Sequence, residues 1–154
     1  MGYWEDRTLA SVWEAYCRQY ANRIAVIDGD EHATYAELDA RATNLALNLL
    51  DLGIKPRDRL VVQLPNRIPF VYLYLALQKI GAIPVMALPA HRYLEISQFV
   101  QISGAIGACE LCYQGATDEE IAVCAVDLDI PEEDEESFTV ASALGSAPPA
   151  AIRR

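Results

Sequence analysis

Apolar residues follow two different patterns along this chain. Over the first third they recur every three or four positions, and beyond it continuous apolar runs alternate with helical stretches. In residues 8–21 these apolar positions form a stripe along one side of a helix, which predicts an amphipathic helix with Thr8 as its N-cap. Residues 23–28 and 32–35 predict two short strands around a tight turn, and therefore a β-hairpin.

A helix with one buried face is predicted for residues 34–53. Thr34 and Glu37 match the capping box, in which each side chain satisfies a free amide of the first turn. Gly53 supplies the residue after the C-cap, and Pro56 prevents the helix from continuing. The apolar positions expected in the core are Leu38, Ala42, Leu45, Leu49 and Leu52.

Residues 67–82, RIPFVYLYLALQKIGA, predict a helix that is apolar on nearly every side. Asn66 is the expected N-cap, Pro69 falls in the first turn, where it costs no hydrogen bond, and Gly81 ends the helix. Such a helix is buried between layers. We expect one face to pack on a sheet and the other to need a partner, either through self-association or from missing segments of a larger protein.

The remaining apolar runs predict strands that alternate with helices. A helix is predicted at 92–103, and strands are predicted at 58–65, 83–88, 105–113 and 121–128. Continuous apolar strands between helices are typical of a parallel sheet covered on both faces. The predicted fold class is therefore α/β, a mostly parallel sheet with helices on both faces and right-handed crossovers.

Charge divides the chain into two parts. The net charge is −10, yet residues 1–117 hold 12 acids and 10 bases, whereas residues 118–152 hold ten acids and no base. We therefore predict a folded domain over residues 1–130 and an acidic, proline-containing tail over residues 131–154. A solvated tail is the first interpretation, and a docking strip for a basic partner is the second.

Composition disfavours several functional classes. A nucleic-acid partner requires a basic face, which this composition does not favour. The sequence contains no run of 18 apolar residues, the length needed to span a membrane. Its first residues, MGYWEDRTLA, lack the basic leader and apolar core of a secretory signal. We therefore expect the protein to bind neither nucleic acid nor a membrane, and to be located in the cytoplasm.

The sequence around the cysteines favours buried apolar cysteines over redox-active or metal-binding ones. Cys109 and Cys112 form a C-x-x-C within AIGACELCYQG, which predicts a strand, whereas a redox pair belongs at a helix N-terminus. A zinc site needs four ligands, and only Cys124 and a distant histidine could complete one. No metal site is predicted.

His91 is the candidate site residue, and it is a weak one. In VMALPAHRYLEIS it follows a predicted strand, where α/β proteins often place site residues. No catalytic partner is visible, so His91 is either substrate-proximal or a loop residue that helps to start the next helix.

Other chemistry is absent from the sequence. It contains no phosphate-binding or dinucleotide-binding glycine motif, no nucleophile elbow and no H-E-x-x-H. Lys55 and Lys79 are interpreted as solvated ends, His32 as a surface residue, and Asp28 with Asp30 as turn residues. No catalytic and no cofactor-binding residue is assigned.

Several stretches resemble a known superfamily. TYAEL, LGIKPRDRLVVQLPN and LQKIGAIPV are similar to the N-terminus of adenylate-forming (AMP-binding) enzymes. GYWED and LPAHR resemble the aryl-acid branch, the 2,3-dihydroxybenzoate or salicylate AMP ligases of siderophore assembly. The resemblance covers residues 2–104 and fades through 105–147. It implies the fold of the first N-terminal subdomain of acyl-adenylate synthetases.

The resemblance also implies a chemistry. The full-length family uses ATP and Mg²⁺ to form an acyl-adenylate and passes the acyl group to an aryl carrier protein. Its phosphate loop, adenine motif and catalytic lysine lie outside the part that is resembled, so no catalytic residue of the family falls on this sequence. Only His91 matches a histidine typical of the branch.

Three interpretations follow from the resemblance and the missing motifs. The first is a truncated N-terminal part of an aryl-acid AMP ligase that is inactive alone. The second is a non-catalytic binding module derived from that fold. The third is an unrelated small α/β enzyme that uses His91 and the cysteines.

Overall fold

The computed structural model describes residues 5–114, 118–125 and 150–151, with side-chain environments for residues 5–109. The chain forms helices and strands in the order α1 (Leu9–Tyr20), β1 (Ile24–Asp28), β2 (Glu31–Thr34), α2 (Tyr35–Asp51), β3 (Arg59–Gln63), α3 (Ile68–Ile80), β4 (Ile83–Met86), α4 (Tyr93–Ser103), β5 (Gly107–Gln114), β6 (Asp118–Ala125) and β7 (Ala150–Ala151).

The main sheet has five strands in the order β4-β3-β5-β6-β7. Strand β3 is parallel to β4 and to β5, whereas β6 is antiparallel to both β5 and β7. Strands β1 and β2 form the predicted hairpin. The α/β class with a parallel centre is thus confirmed. The antiparallel pair follows from chain length, because the three residues between β5 and β6 are too few for a crossover.

Alternation along β3 builds a core on each face of the sheet. Leu60, Val62 and Leu64 are buried in one cluster with residues of α2 and α3. Val61 is buried but lies outside that cluster. Helix α4, which contacts β3, covers the second face with its buried residues Ile96 and Val100. Helices therefore lie on both faces, as predicted.

The amphipathic pattern of α2 predicted its buried face with one error. Leu38, Ala42, Leu45 and Leu49 are buried, whereas Leu52 is 45 % exposed. Leu52 is the C-cap of α2, where the chain leaves the helix, so it no longer follows the helical stripe.

Helix α3 shares one buried cluster with α2 and β3. Eight of its residues are buried, and Phe70 and Val71 pack against the core. Because α1, α2, β1 and β4 all contact α3, the second face of this helix is covered by the same chain. No large apolar residue of α3 is exposed, so the expectation that this helix needs an outside partner is wrong.

Most of the predicted helix ends agree with the structure, and the start of α3 does not. Thr8 and Thr34 cap α1 and α2, the latter in a complete capping box, and Gly81 ends α3 with a φ of 72°. The N-cap of α3, however, is Arg67 rather than Asn66. The Ile68 amide instead donates to the Asp28 carboxylate of the hairpin at 3.1 Å.

Strand β4 forms one edge of the sheet, and its proline faces outward. The amides of Ile83 and Ala87 donate toward β3, to Asp58 O at 2.7 Å and Val62 O at 2.9 Å. Alternate residues of a strand direct their amides to opposite sides, so the nitrogen of Pro84 lies on the open edge. Pro84 therefore costs no hydrogen bond of the sheet.

Some predictions concern residues outside this description. Of the predicted tail over 131–154, only Ala150 and Ala151 are described, as β7, and the division into a domain and a tail stays a prediction. None of the helices in the described part combines the length and apolarity needed to traverse a bilayer.

Candidate functional site

The loop between β4 and α4 is held against the carboxyl end of β3 by one side chain. Gln63, the last residue of β3, donates from Nε2 to Leu88 O at 3.1 Å and to His91 O at 2.8 Å. The two protons of the amide nitrogen satisfy both carbonyls. The loop is therefore fixed to the end of a central strand, where parallel sheets often position ligand-binding residues.

His91 closes this loop through its backbone and its ring. Its amide donates to Leu88 O at 3.0 Å, and its Nδ1 accepts from the Leu88 amide at 3.0 Å. The edge of the ring packs on Phe99 of α4, with centroids 5.0 Å apart and an interplanar angle of 72°. Because Nδ1 is an acceptor, the ring carries its hydrogen on Nε2, which is left as its one donor.

This geometry positions His91 and does not activate it as an acid or a base. No hydrogen bond or ion pair joins His91 to an ionisable side chain in the described part of the chain. The arrangement agrees with the loop interpretation, whereas the substrate-proximal role stays a prediction.

The following helix begins with half of a capping box. The Arg92 amide donates to Glu95 Oε2 at 2.9 Å, and this bond lowers the pKa of the Glu95 carboxyl below its usual value. The Arg92 side chain has no acceptor, so it cannot return the bond. His91 thus precedes the N-cap of α4 without capping the helix itself.

A second polar cluster, which the sequence did not reveal, joins three helices. Asp39 Oδ1 of α2 accepts from Trp13 Nε1 of α1 at 2.9 Å and from Lys79 Nζ of α3 at 2.9 Å. The Lys79 side chain is only 15 % exposed, so its interpretation as a solvated end is wrong. A charged residue within an otherwise apolar helix was the available signal.

Cys17 lies beside this cluster as an unreactive thiol. Burial raises its pKa to about 11, the Asp39 carboxylate adds to the rise, and the Lys79 ammonium opposes it. The sulfur lies 3.6 Å from Tyr35 O, to which it donates. The thiol therefore stays protonated at neutral pH, whereas a reactive cysteine needs a lowered pKa.

The other candidates are also accounted for by structure. Cys109 is fully buried within β5, and Cys112 lies in the same strand, so the C-x-x-C is not at a helix N-terminus. Within the described residues no three metal-ligating side chains come together. His32 and Lys55 are exposed, as expected. The Asp28 carboxylate does more than form a turn. It accepts from the Ile68 amide, as described above, and also from Arg67 Nε at 3.3 Å.

Helices alternate with the parallel strands of the sheet, and a loop is fixed at the carboxyl end of these strands. Both features agree with the enzyme family that the sequence matches. Residues 13–147 match the family model described as AMP-binding enzyme. The chain belongs to this family.

Two similar proteins are aryl-acid AMP ligases. The chain is 44 % identical over 111 residues to a salicyl-AMP ligase / salicyl-S-ArCP synthetase of Mycobacterium tuberculosis, covering 69 % of this chain and 20 % of that protein. It is 42 % identical over 104 residues to a 2,3-dihydroxybenzoate-AMP ligase of Bacillus subtilis, covering 68 % and 19 %. The chain therefore spans about one fifth of these relatives and corresponds to their N-terminal part.

Solved structures agree in fold. Apo MbtA of Mycobacterium smegmatis superposes with a TM-score of 0.66 at 45 % identity, covering 70 % of this chain and 20 % of that one. The N-terminal subdomain of Klebsiella oxytoca NpsA gives a TM-score of 0.66 at 21 % identity, covering 70 % and 28 %. The second likeness bears on the fold alone.

Proposed function

We propose that this chain forms the N-terminal part of an aryl-acid AMP ligase that acts on 2,3-dihydroxybenzoate or salicylate in siderophore biosynthesis. Identity above 40 % to two aryl-acid AMP ligases carries the proposal. ATP and Mg²⁺ are the proposed cofactors of the whole enzyme, an aryl carrier protein is its proposed partner, and the cytoplasm is its proposed location.

No adenylation step is assigned to residues 1–154 themselves. The sequence holds no Ser/Thr/Gly-rich phosphate loop, and the described residues offer no cluster of carboxylates for Mg²⁺. Adenylyl transfer depends mainly on positioned charges around the phosphates, as phosphoryl transfer does. What this chain supplies is a parallel sheet and a fixed loop that presents His91.

The isolated chain should therefore show no exchange activity. With purified protein and either aryl acid, ATP–pyrophosphate exchange should equal the no-enzyme blank. Exchange that depends on the aryl acid and clearly exceeds this blank would overturn the assignment.

A chimera tests the positive half of the proposal. Residues 5–109 would replace the matching part of the Bacillus subtilis 2,3-dihydroxybenzoate-AMP ligase. We expect kcat/KM for exchange within about tenfold of the parent enzyme, a loss of at most about 1.4 kcal/mol of transition-state stabilisation. A folded but inactive chimera would instead support the non-catalytic binding module.

The same chimera tests whether His91 lies near the substrate. His91→Asn keeps an acceptor for the Leu88 amide but removes the donor at Nε2. If that donor faces the aryl acid, KM should rise about tenfold, as for one lost hydrogen bond, while kcat and the thermal midpoint stay unchanged. An unchanged KM would leave His91 as a loop residue only.

A further inference from the structure

Three basic side chains are exposed in the turn that precedes β3. Lys55, Arg57 and Arg59 are exposed, and none of them forms an ion pair within residues 5–109. The one acid of the turn, Asp58, is engaged by the backbone, because its Oδ2 accepts from the Lys55 amide at 2.7 Å. We call residues 55–59 the basic turn.

Two exposed isoleucines border the basic turn. Arg59 is in register with Ile83 of the edge strand, and Arg59 O accepts from the Ile106 amide at 2.9 Å. Both isoleucines are exposed. The basic turn with Ile83 and Ile106 forms one surface at the amino end of the sheet, which we call the amino-end surface.

The last described residue before the most acidic stretch, Ala125, lies at this end of the sheet. Because β6 is antiparallel to β5, Ala125 lies beside Gly107, which lies beside Leu60. Ala125 is therefore two strand spacings, about 10 Å, from the start of β3. Glu132 is seven residues further along, a span of up to about 23 Å.

Both the charge and the chain path favour one occupant for the amino-end surface. Residues 132–136 are five consecutive acids, followed by Phe138. The chain also returns to β6 afterwards, since Ala150 pairs with Val123. A segment held at both ends near a surface has an effective concentration on the order of millimolar there.

We propose that acidic residues 132–136 of this chain bind its own amino-end surface, with carboxylates on the basic turn and Phe138 against the isoleucines. Exposed ion pairs are individually weak and are screened by salt, so this contact should be sensitive to salt and open to competition by an added peptide of the same sequence.

A labelled peptide with the sequence of residues 129–142 tests this contact by fluorescence anisotropy. Two full-length chains are compared, the wild type and a variant in which the acidic run is neutralised with Glu132→Gln, Glu133→Gln, Asp134→Asn, Glu135→Gln and Glu136→Gln. The neutralised chain should bind the peptide at least about fivefold more tightly, because its surface is not occupied. This affinity should fall at least about tenfold between about 50 and 300 mM NaCl.

A matched pair of variants locates the binding surface. In the neutralised chain, Lys55→Gln, Arg57→Gln and Arg59→Gln together should abolish peptide binding. The control combines Arg18→Gln, Arg41→Gln and Arg92→Gln, which removes the same charge elsewhere and should preserve binding. Circular dichroism and the thermal midpoint verify that both variants are folded.

Three results would overturn the proposal. The first is equal peptide affinity for the wild type and the neutralised chain. The second is an equal loss in the control variant, which would indicate general charge attraction. The third is a wild-type dimer in sedimentation that the peptide dissociates, which would make a second copy the occupant.

Discussion

Arg57 is held in a conformation that an arginine rarely adopts. Its φ is 74°, and it is the only residue other than glycine with a positive φ in the described part of the chain. Its amide donates to Gly81 O at 2.7 Å, which joins this turn to the end of α3. A side chain in this region of φ costs about 1–2 kcal/mol through the contact of its Cβ with the following carbonyl.

Arg57→Gly should therefore stabilise the protein. The substitution relieves the backbone strain, but glycine raises the conformational entropy of the unfolded chain. The net gain in the free energy of unfolding is about 0.5–1 kcal/mol. Urea unfolding in high salt measures this gain with little influence from the lost charge. The matched variant Arg59→Gly, in β3, should lose stability, and an Arg57→Gly chain no more stable than the wild type would contradict the argument.

At the level of single residues, the sequence predicted local contacts and missed distant ones. Thr34 and Glu37 are three positions apart, so their capping box was visible in the sequence. Trp13 and Asp39 are 26 positions apart, and Asp28 and Ile68 are 40 apart. Nothing in a local pattern indicates which acid approaches which N–H group over such separations, because the packing of whole helices decides it.

Among the helices, the start of α2 should make stability depend on pH. The Glu37 carboxylate accepts from the Thr34 amide at 2.8 Å and from the Thr34 hydroxyl at 2.9 Å, and these bonds lower its pKa below the ordinary 4.5. A carboxyl whose pKa is lowered by folding stabilises the fold above the ordinary value. That contribution is lost as the pH falls through the lowered pKa.

Glu37→Gln isolates this charge, since glutamine also occurs in capping boxes. Near pH 7 the wild type should be the more stable of the two. As the pH falls from 7 through the lowered pKa of Glu37, the two unfolding midpoints should converge because the carboxylate is protonated. A gap between them that stays constant over this range would show that the charge is not involved.

Strand positions followed from the sequence, whereas their neighbours and the fixed loop did not. The apolar runs predicted β3 and β4 to within two residues at either end. Nothing in those runs showed that β6 would be antiparallel or that Gln63 would hold the loop of His91. The polar Gln63 at the end of an apolar strand was a signal, but its two acceptors lie 25 and 28 residues away.

For the whole molecule, exposed apolar residues predict association in solution. Leu88, in the loop between β4 and α4, is 64 % exposed, and Leu94, in the first turn of α4, is 63 % exposed. Large apolar residues clustered on a surface mark interaction sites or cause aggregation. We expect dimers or larger species by light scattering at about micromolar concentration, in line with ordinary transient interfaces, together with binding of a hydrophobic dye.

The double variant Leu88→Ser and Leu94→Ser should reduce both signals. Ile27→Ser with Leu47→Ser, two exposed sites on β1 and α2, is the matched control. If the wild type is a monomer that ignores the dye, the surface does not promote association. If both double variants behave alike, the contact does not depend on the loop of His91.

The outward-facing nitrogen of Pro84 limits how such contacts can form. An open sheet edge normally offers a row of amides on which a further strand can grow, and repeated growth of this kind produces fibrils. Strand β4 is only four residues long, and its second residue, Pro84, has no amide hydrogen to offer on the open edge. Copies of this chain that emerge together from ribosomes can therefore contact one another through side chains, while the ribbon-like extension that makes aggregation irreversible is blocked at this edge.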